Sequence, residues 1–149
     1  DRTADQPSVK VQALSSHHRV LVIDDDALVA KTLARILNEH NVEVVTSGRA
    51  ALERLSRDGT AIDLVLCDLM MPDMTGMDVY EAIEQRMPNL SERFVFISGG
   101  GVTERARQFI ERHSDRVLAK PIESSQLYRM VARRTSSAPP PPAALPDSA

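Results

Sequence analysis

The chain is 149 residues long and 42% hydrophobic, a size that buries one core and makes a single principal domain the expectation. Its formal net charge of −3, with a pI near 5.8, gives no electrostatic basis for binding nucleic acid. No apolar run approaches the roughly 18 residues that cross a membrane, no signal-peptide pattern occurs, and the single cysteine, Cys67, excludes an internal disulfide and fits a reducing, cytoplasmic setting.

Residues 1–18 are polar, end in Ser15-Ser16-His17-His18 and read as a linker or frayed lead-in. A strand over 19–23 carries Val20-Leu21-Val22-Ile23 and ends in Asp24-Asp25-Asp26. Asp26 is placed to cap a helix over 26–39, in which Leu28, Val29, Thr32, Leu33, Ile36 and Leu37 recur at helical spacing. A second strand over 42–46 leads into a helix over 48–57 that carries Ala50, Ala51, Leu52 and Leu55 and stops at Asp58-Gly59. The run 62–67 forms the third strand; Asp68 closes it, and Leu69-Met70-Met71-Pro72-Asp73-Met74-Thr75-Gly76 makes a loop punctuated by proline and glycine. A helix over 76–87 offers Val79, Ile83 and Met87 before Pro88. The fourth strand, 93–97, ends at Ser98, and three glycines (99–101) separate it from a helix over 103–112. The last strand, 116–119, meets Lys120-Pro121, and a helix over 123–134 follows. Residues 135–149 hold five of the nine prolines and read as an extended or disordered tail.

Five strands alternating with five helices predict a doubly wound α/β domain over residues 19–134, a parallel sheet covered on both faces. The near-continuous apolar strands Leu64-Val65-Leu66 and Phe94-Val95-Phe96-Ile97 support that burial. In open parallel sheets, function sits beyond the carboxyl ends of the strands. Asp24, Asp25, Asp68, Ser98 and Lys120 all fall there. Carboxylates gathered at one place repel one another, and a divalent cation relieves the repulsion. Oxygen ligands without nearby His or Cys suit a hard ion such as magnesium. Asp68 is then a further ligand or a nucleophile able to attack phosphorus and form an acyl phosphate. Lys120 offers a point charge for a phosphate oxygen and Ser98 a hydrogen-bond donor.

Over residues 19–134 this set resembles the receiver domain of bacterial two-component signalling. The resemblance implies a flavodoxin-like sheet of strand order 2-1-3-4-5. It makes Asp68 the phosphoacceptor, charged by a histidine kinase or a histidine phosphotransfer domain. It gives Asp25 a direct bond to Mg2+ (with Mn2+ as a substitute), Asp24 a contact through water, and Met70 a ligand role through its backbone carbonyl. Ser98 takes the place of the switch hydroxyl, and Lys120 that of the family's lysine, followed by a cis proline at Pro121. Such a domain assists its own phosphorylation without being a conventional enzyme, and acts as a monomer or weak dimer. The glycine run followed by Thr103-Glu104-Arg105-Ala106-Arg107 resembles, more narrowly, receivers at the C-terminal end of hybrid sensor histidine kinases.

Two positions depart from the family pattern. Receivers commonly carry Tyr or Phe three positions before the lysine, where this chain has Val117, and the triple glycine is unusual. Activation is therefore expected to order the loop and helix over 99–112 rather than to turn a ring inward. Met70 and Gly100, which flank the phosphoryl position, carry no side chain able to hold a hydrolytic water. A receiver-like interaction module that is never phosphorylated would show losses among Asp24, Asp25, Asp68 and Lys120, and all four are present. A hydrolase working through an aspartyl phosphate would carry a second Asp at the position of Met70. Kinase nucleotide-binding motifs are absent from the sequence. Arg105, Arg107, Arg112 and Arg116, interleaved with Glu104, Glu111 and Asp115, have the pattern of a solvated helix face. His17, His18, His40 and His113 show no mutual metal spacing and are expected on solvated surface. Met70, Met71, Met74 and Met77 are expected to pack around their loop.

Overall fold

In a computed structural model that describes residues 17–135, strand β1 (Arg19–Ile23) alternates its side chains between two apolar layers. Val20 and Val22 join one layer, and Leu21 and Ile23 join the other, all fully buried. The same alternation runs through β3 (Leu64–Asp68) and β4 (Phe94–Ser98), so both faces of the central sheet are covered. Burying each such Val, Leu, Ile or Phe contributes about 1.5–3 kcal/mol. Strands β2 (Asn41–Val45) and β5 (Val117–Ala119) form the edges and are more exposed.

The sheet has five parallel strands in the order β2-β1-β3-β4-β5. That is the expected doubly wound, flavodoxin-like topology, with its order reversing between β1 and β3. Helices α1 (Ala27–Ile36) and α6 (Ser124–Thr135) cover one face through Ala30, Leu33, Leu127, Met130 and Val131. The other face is covered by α2 (Gly48–Ser56), α3 (Gly76–Arg86), α4 (Pro88–Ser91) and α5 (Glu104–Arg112). Among the described residues, the single turn α4 raises the count of α-helices from the expected five to six. Pro88 opens it, where a missing N–H costs nothing, and Leu90 anchors it in the core. Residues 1–16 and 136–149, which hold most of the expected lead-in and the whole proline cluster, lie outside the described residues.

Two expectations about surface residues are corrected. Arg116 is not on a solvated helix face: it sits in a 3₁₀ turn (Ser114–Arg116) and is 8% exposed. Its guanidinium donates to the carbonyls of Ser91 (3.0 Å) and Phe94 (3.2 Å) and to the Tyr80 hydroxyl (2.8 Å). It also lies over the rings of Tyr80 and Phe96, at 5.2 and 5.4 Å. His40 and His113 are likewise partly buried. His40 accepts the His18 amide on Nδ1 and stacks on the His18 ring, while His113 packs 4.3 Å from Phe109. Burial lowers the pKa of both, with Arg116 and Arg112 lowering that of His113 further. The methionines behave as expected: Met71 and Met77 are buried, and Met70 and Met74 pack against the same core.

Candidate functional site

The carboxyl edge of the sheet brings four strand ends together. Asp24 follows β1 directly and is fully buried, with Asp25 exposed beside it. Asp68 is the last residue of β3, 4% exposed, paired across the sheet with Ile97. Ser98 ends β4 opposite Ala119, and Lys120 follows β5. One carboxylate oxygen from each of Asp24, Asp25 and Asp68 lies within 4.8 Å of the others. The Lys120 ammonium stands 3.7 Å from Asp24 Oδ2 and 3.6 Å from Asp68 Oδ2. Ser98 is half-buried, and its hydroxyl donates to the Gly99 carbonyl at a long 3.3 Å.

The electrostatics of this arrangement are unfavourable for the protein alone. At 4.8 Å and an effective dielectric of about 20, two like charges repel by about 3–4 kcal/mol. One ammonium faces three carboxylates and cannot balance them. Burial, reinforced by the negative charge of Asp24, pushes the Asp68 carboxyl up to about 6, although Lys120 and the Met70 amide pull the other way. Burial also raises the Asp24 carboxyl, against the opposing effects of the Asp26 amide and Lys120. Asp24 Oδ1 accepts the Asp26 N–H at 2.9 Å, but the buried Oδ2 has no hydrogen-bond partner among the described residues. At 3.7 Å the Lys120 ammonium is too far to serve as one. An orphaned, buried carboxylate oxygen among three hard oxygen donors fits a divalent cation of the magnesium type.

The backbone around Asp68 is held by the loop behind it. The Leu69 N–H bonds to the Ile97 carbonyl, and the Gly76 N–H returns to the Leu69 carbonyl, both at 3.0 Å. Gly76 lies so close that a Cβ there would fall 2.2 Å from the Asp68 carbonyl oxygen. No other residue fits without moving one of the two segments. Thr75 and Asp78 then close a reciprocal cap on α3: the Asp78 N–H bonds to Thr75 Oγ1 at 3.1 Å and the Thr75 N–H to Asp78 Oδ2 at 3.0 Å. On the carboxylate itself, Oδ1 accepts the Met70 amide at 3.3 Å. The Lys120–Pro121 bond is cis.

Asp24, Asp25, Asp68 and Lys120 thus converge on one point, with the Met70 amide on Asp68 and Ser98 at the end of the neighbouring strand. Asp26 stands apart and caps α1, its Oδ1 accepting the Leu28 and Val29 amides at 3.0 and 3.4 Å. Sequence reasoning missed Gly76, whose role depends on a close approach between segments eight residues apart. It also missed Arg105, which appears in sequence as one basic residue among several. Its guanidinium reaches Asp78 and Glu81 of α3, each at 3.0 Å.

The sequence profile of the response regulator receiver domain matches residues 20–132. Among curated proteins, the 3',5'-cyclic-nucleotide phosphodiesterase regA of Dictyostelium discoideum is 31% identical over 142 residues, covering 88% of this chain and 18% of that protein. The regulatory protein LuxO of Vibrio cholerae is 32% identical over 108 residues, covering 71% of this chain and 23% of that protein. The chain therefore spans under a quarter of the length of either relative. Among solved structures, the signal receiver domain of the putative LuxO repressor protein from Vibrio parahaemolyticus superposes with a TM-score of 0.67 at 26% identity, covering 80% of this chain and 90% of that one. Strand order, strand-end acids and the matched profile agree, and the chain belongs to the receiver-domain family of response regulators.

Proposed function

We propose that Asp68 is the phosphoacceptor of a two-component signalling pathway, charged from the phosphohistidine of a histidine kinase or a histidine phosphotransfer domain. A carboxylate oxygen of Asp68 attacks phosphorus, the P–N bond breaks, and the leaving imidazole takes up a proton. Asp25 and Asp68, the Met70 carbonyl, and Asp24 through water are the groups that would hold Mg2+ or Mn2+. The bound ion would supply the positive charge that the acid cluster lacks and that the phosphoryl oxygens require. Lys120 meets the transferred group as a fixed point charge, and Ser98 turns its hydroxyl to a phosphoryl oxygen.

One observation carries this reading: a nearly buried carboxylate at a strand end, raised in pKa, with two more acids and an ammonium around it. A purely structural role would not place three acids against one lysine and leave a buried oxygen unsatisfied. Phosphorylation would then bias the surface formed by α5, β5 and α6, changing partner choice in a domain that is itself a monomer or weak dimer. The glycine run before α5 supports a place for this domain in a cytoplasmic hybrid sensor histidine kinase.

The test is incubation with acetyl phosphate and Mg2+ followed by intact mass measurement. One added phosphoryl group is expected, absent from Asp68→Asn and from a magnesium-free control. Absence of any adduct, together with failure to bind beryllofluoride, would leave a receiver fold that acts as an interaction module without phosphorylation.

A further inference from the structure

The first turn of α5 is held differently from the rest of the helix. Its C-terminal half is anchored in an aromatic layer: Phe109 lies 4.8 Å from Phe96, 5.6 Å from Tyr80 and 4.3 Å from His113. Its N-terminal half follows a glycine run with little packing. A Cβ added at Gly100 or Gly101 would meet nothing within 4 Å among the described residues, and Gly101 adopts a φ of +70°. Thr103 caps the helix by accepting the Ala106 N–H at 3.1 Å, and Ala106 buries only a methyl. Val102 adds partial apolar packing. Across this weakly packed entry, Arg105 forks onto Asp78 and Glu81, one turn apart on α3.

Asp78 is no ordinary surface acid, because it also caps α3 through Thr75, and Gly76 beside it touches the Asp68 carbonyl. Arg105 therefore ties the start of α5 to the same short segment that fixes the backbone of Asp68. Ser98, at the other end of the glycine run, spends its hydroxyl on a long bond to the neighbouring Gly99 carbonyl. That bond is weak enough to exchange for a charged phosphoryl oxygen.

We propose that Arg105 is a positioning residue of the phosphorylation switch: its fork across Asp78 and Glu81 holds the first turn of α5 in the unphosphorylated arrangement and is released when Asp68 is modified. This rests on the phosphoacceptor reading of Asp68. When Ser98 re-aims at the new oxygens, Gly99 and the loop move toward the site. The first turn of α5 is drawn after them, while the aromatic layer keeps the far end in place. The displacement parts the guanidinium from its two carboxylates. The glycines make this movement cheap, since between Ser98 and Val102 no side chain must repack, and beyond them only Val102 and the Ala106 methyl shift. The switch thereby works without a ring at Val117, the family's usual aromatic position.

Linkage makes the proposal measurable. A contact present only in the resting state opposes whatever ligand favours the other state, so its removal tightens that ligand. Mg2+ with beryllofluoride, an analogue of the phosphoryl group, is the probe. Titration of the whole chain by NMR is expected to show Arg105→Ala binding it about two- to five-fold more tightly than wild type, the range set by exposed ion pairs. Arg105→Lys, which keeps the charge without the fork, should fall between them. Amide exchange over residues 99–106 should be faster in resting Arg105→Ala and unchanged over the aromatic anchor. Equal affinity in wild type and Arg105→Ala overturns the latch, even with faster exchange, because the contact is then structural in both states. If wild type itself gains no phosphoryl group from acetyl phosphate and binds no beryllofluoride, the phosphoacceptor reading fails and takes the latch with it; that outcome is read from wild type alone.

Discussion

Asp68 carries its charge at a cost to the fold, and the sign of that cost sets a pH dependence. Its folded-state pKa of about 6 lies above the ordinary 3.8 because of burial and the neighbouring Asp24. Between those two values the folded chain binds more protons than the unfolded one. Stability from this group is therefore greatest below about pH 4, falls as the pH rises toward 6, and shows the full penalty at neutrality. The shift corresponds to at most about 3 kcal/mol. In metal-free buffer at pH 7, Asp68→Asn should raise stability by about 1–3 kcal/mol, with Asp25→Ala shifting it in the same direction. The Asp68→Asn advantage should vanish at pH 4 and shrink when Mg2+ is added. Urea unfolding followed by circular dichroism at the two pH values checks this, and lower stability of both variants at pH 7 would mean that the acids are satisfied as they stand. Arg116 presents the opposite case, a buried charge that the fold does satisfy. Arg116→Ala strands two carbonyls and the Tyr80 hydroxyl and empties the space over two rings. It should cost about 2–4 kcal/mol in the same unfolding assay. Phosphorylation of the still-folded fraction should persist, since Arg116 does not touch the site.

The segment from Asp68 to the start of α3 acts as one part, which Gly76→Ala tests. A Cβ 2.2 Å from the Asp68 carbonyl oxygen forces the loop or the strand end to move. The substitution should destabilise by about 2 kcal/mol or more and slow phosphorylation from acetyl phosphate at least about tenfold, because Asp68 is displaced from Lys120. An unchanged rate with lowered stability would mean that the loop yields instead of the strand. This contact also marks where sequence reading stopped. The elements were legible because each has its own period: β1 begins and ends at the expected residues, Asp26 caps α1 as expected, and Thr103, expected as the first residue of its helix, caps it instead. Asp68 and Ser98 close their strands as expected, and are themselves paired one residue beyond the expected ranges 62–67 and 93–97, because parallel neighbours extend the ladder to Ile97 and Ala119. Helix α1 stops at Ile36, short of the expected 39, as Leu37 turns into the core. Four residues of α4 are too few to show a period. The site acids were legible because strand ends of one sheet must share an edge. Gly76, Arg105 and Arg116 were not, since their partners lie on other elements and no spacing within the chain encodes them.

At the scale of the molecule, the site is the product of the topology. Asp24, Asp68, Ser98 and Lys120 come from four strands that meet only after β1 has paired with β3, and β3 with β4, and both faces have been covered. No local segment contains more than one of these four ends, so the unfolded chain has no comparable site. A ligand that engages all of them binds the native state alone, and its binding free energy appears as global stability. At a hundredfold excess over its dissociation constant, such a ligand adds about 2.7 kcal/mol. For a domain of this size that corresponds to a rise of roughly 10 °C in melting temperature. Mg2+ with beryllofluoride should produce this rise in wild type, Mg2+ alone a smaller one, and neither should act through the analogue in Asp68→Asn. The same rise should be seen by circular dichroism, which reports the helices on both faces, and by amide exchange in the central strands. A ligand that protected only the loop over 99–106 and left the melting temperature unchanged would place the binding energy in local ordering, and the strand ends would then not be the site at which it is gained.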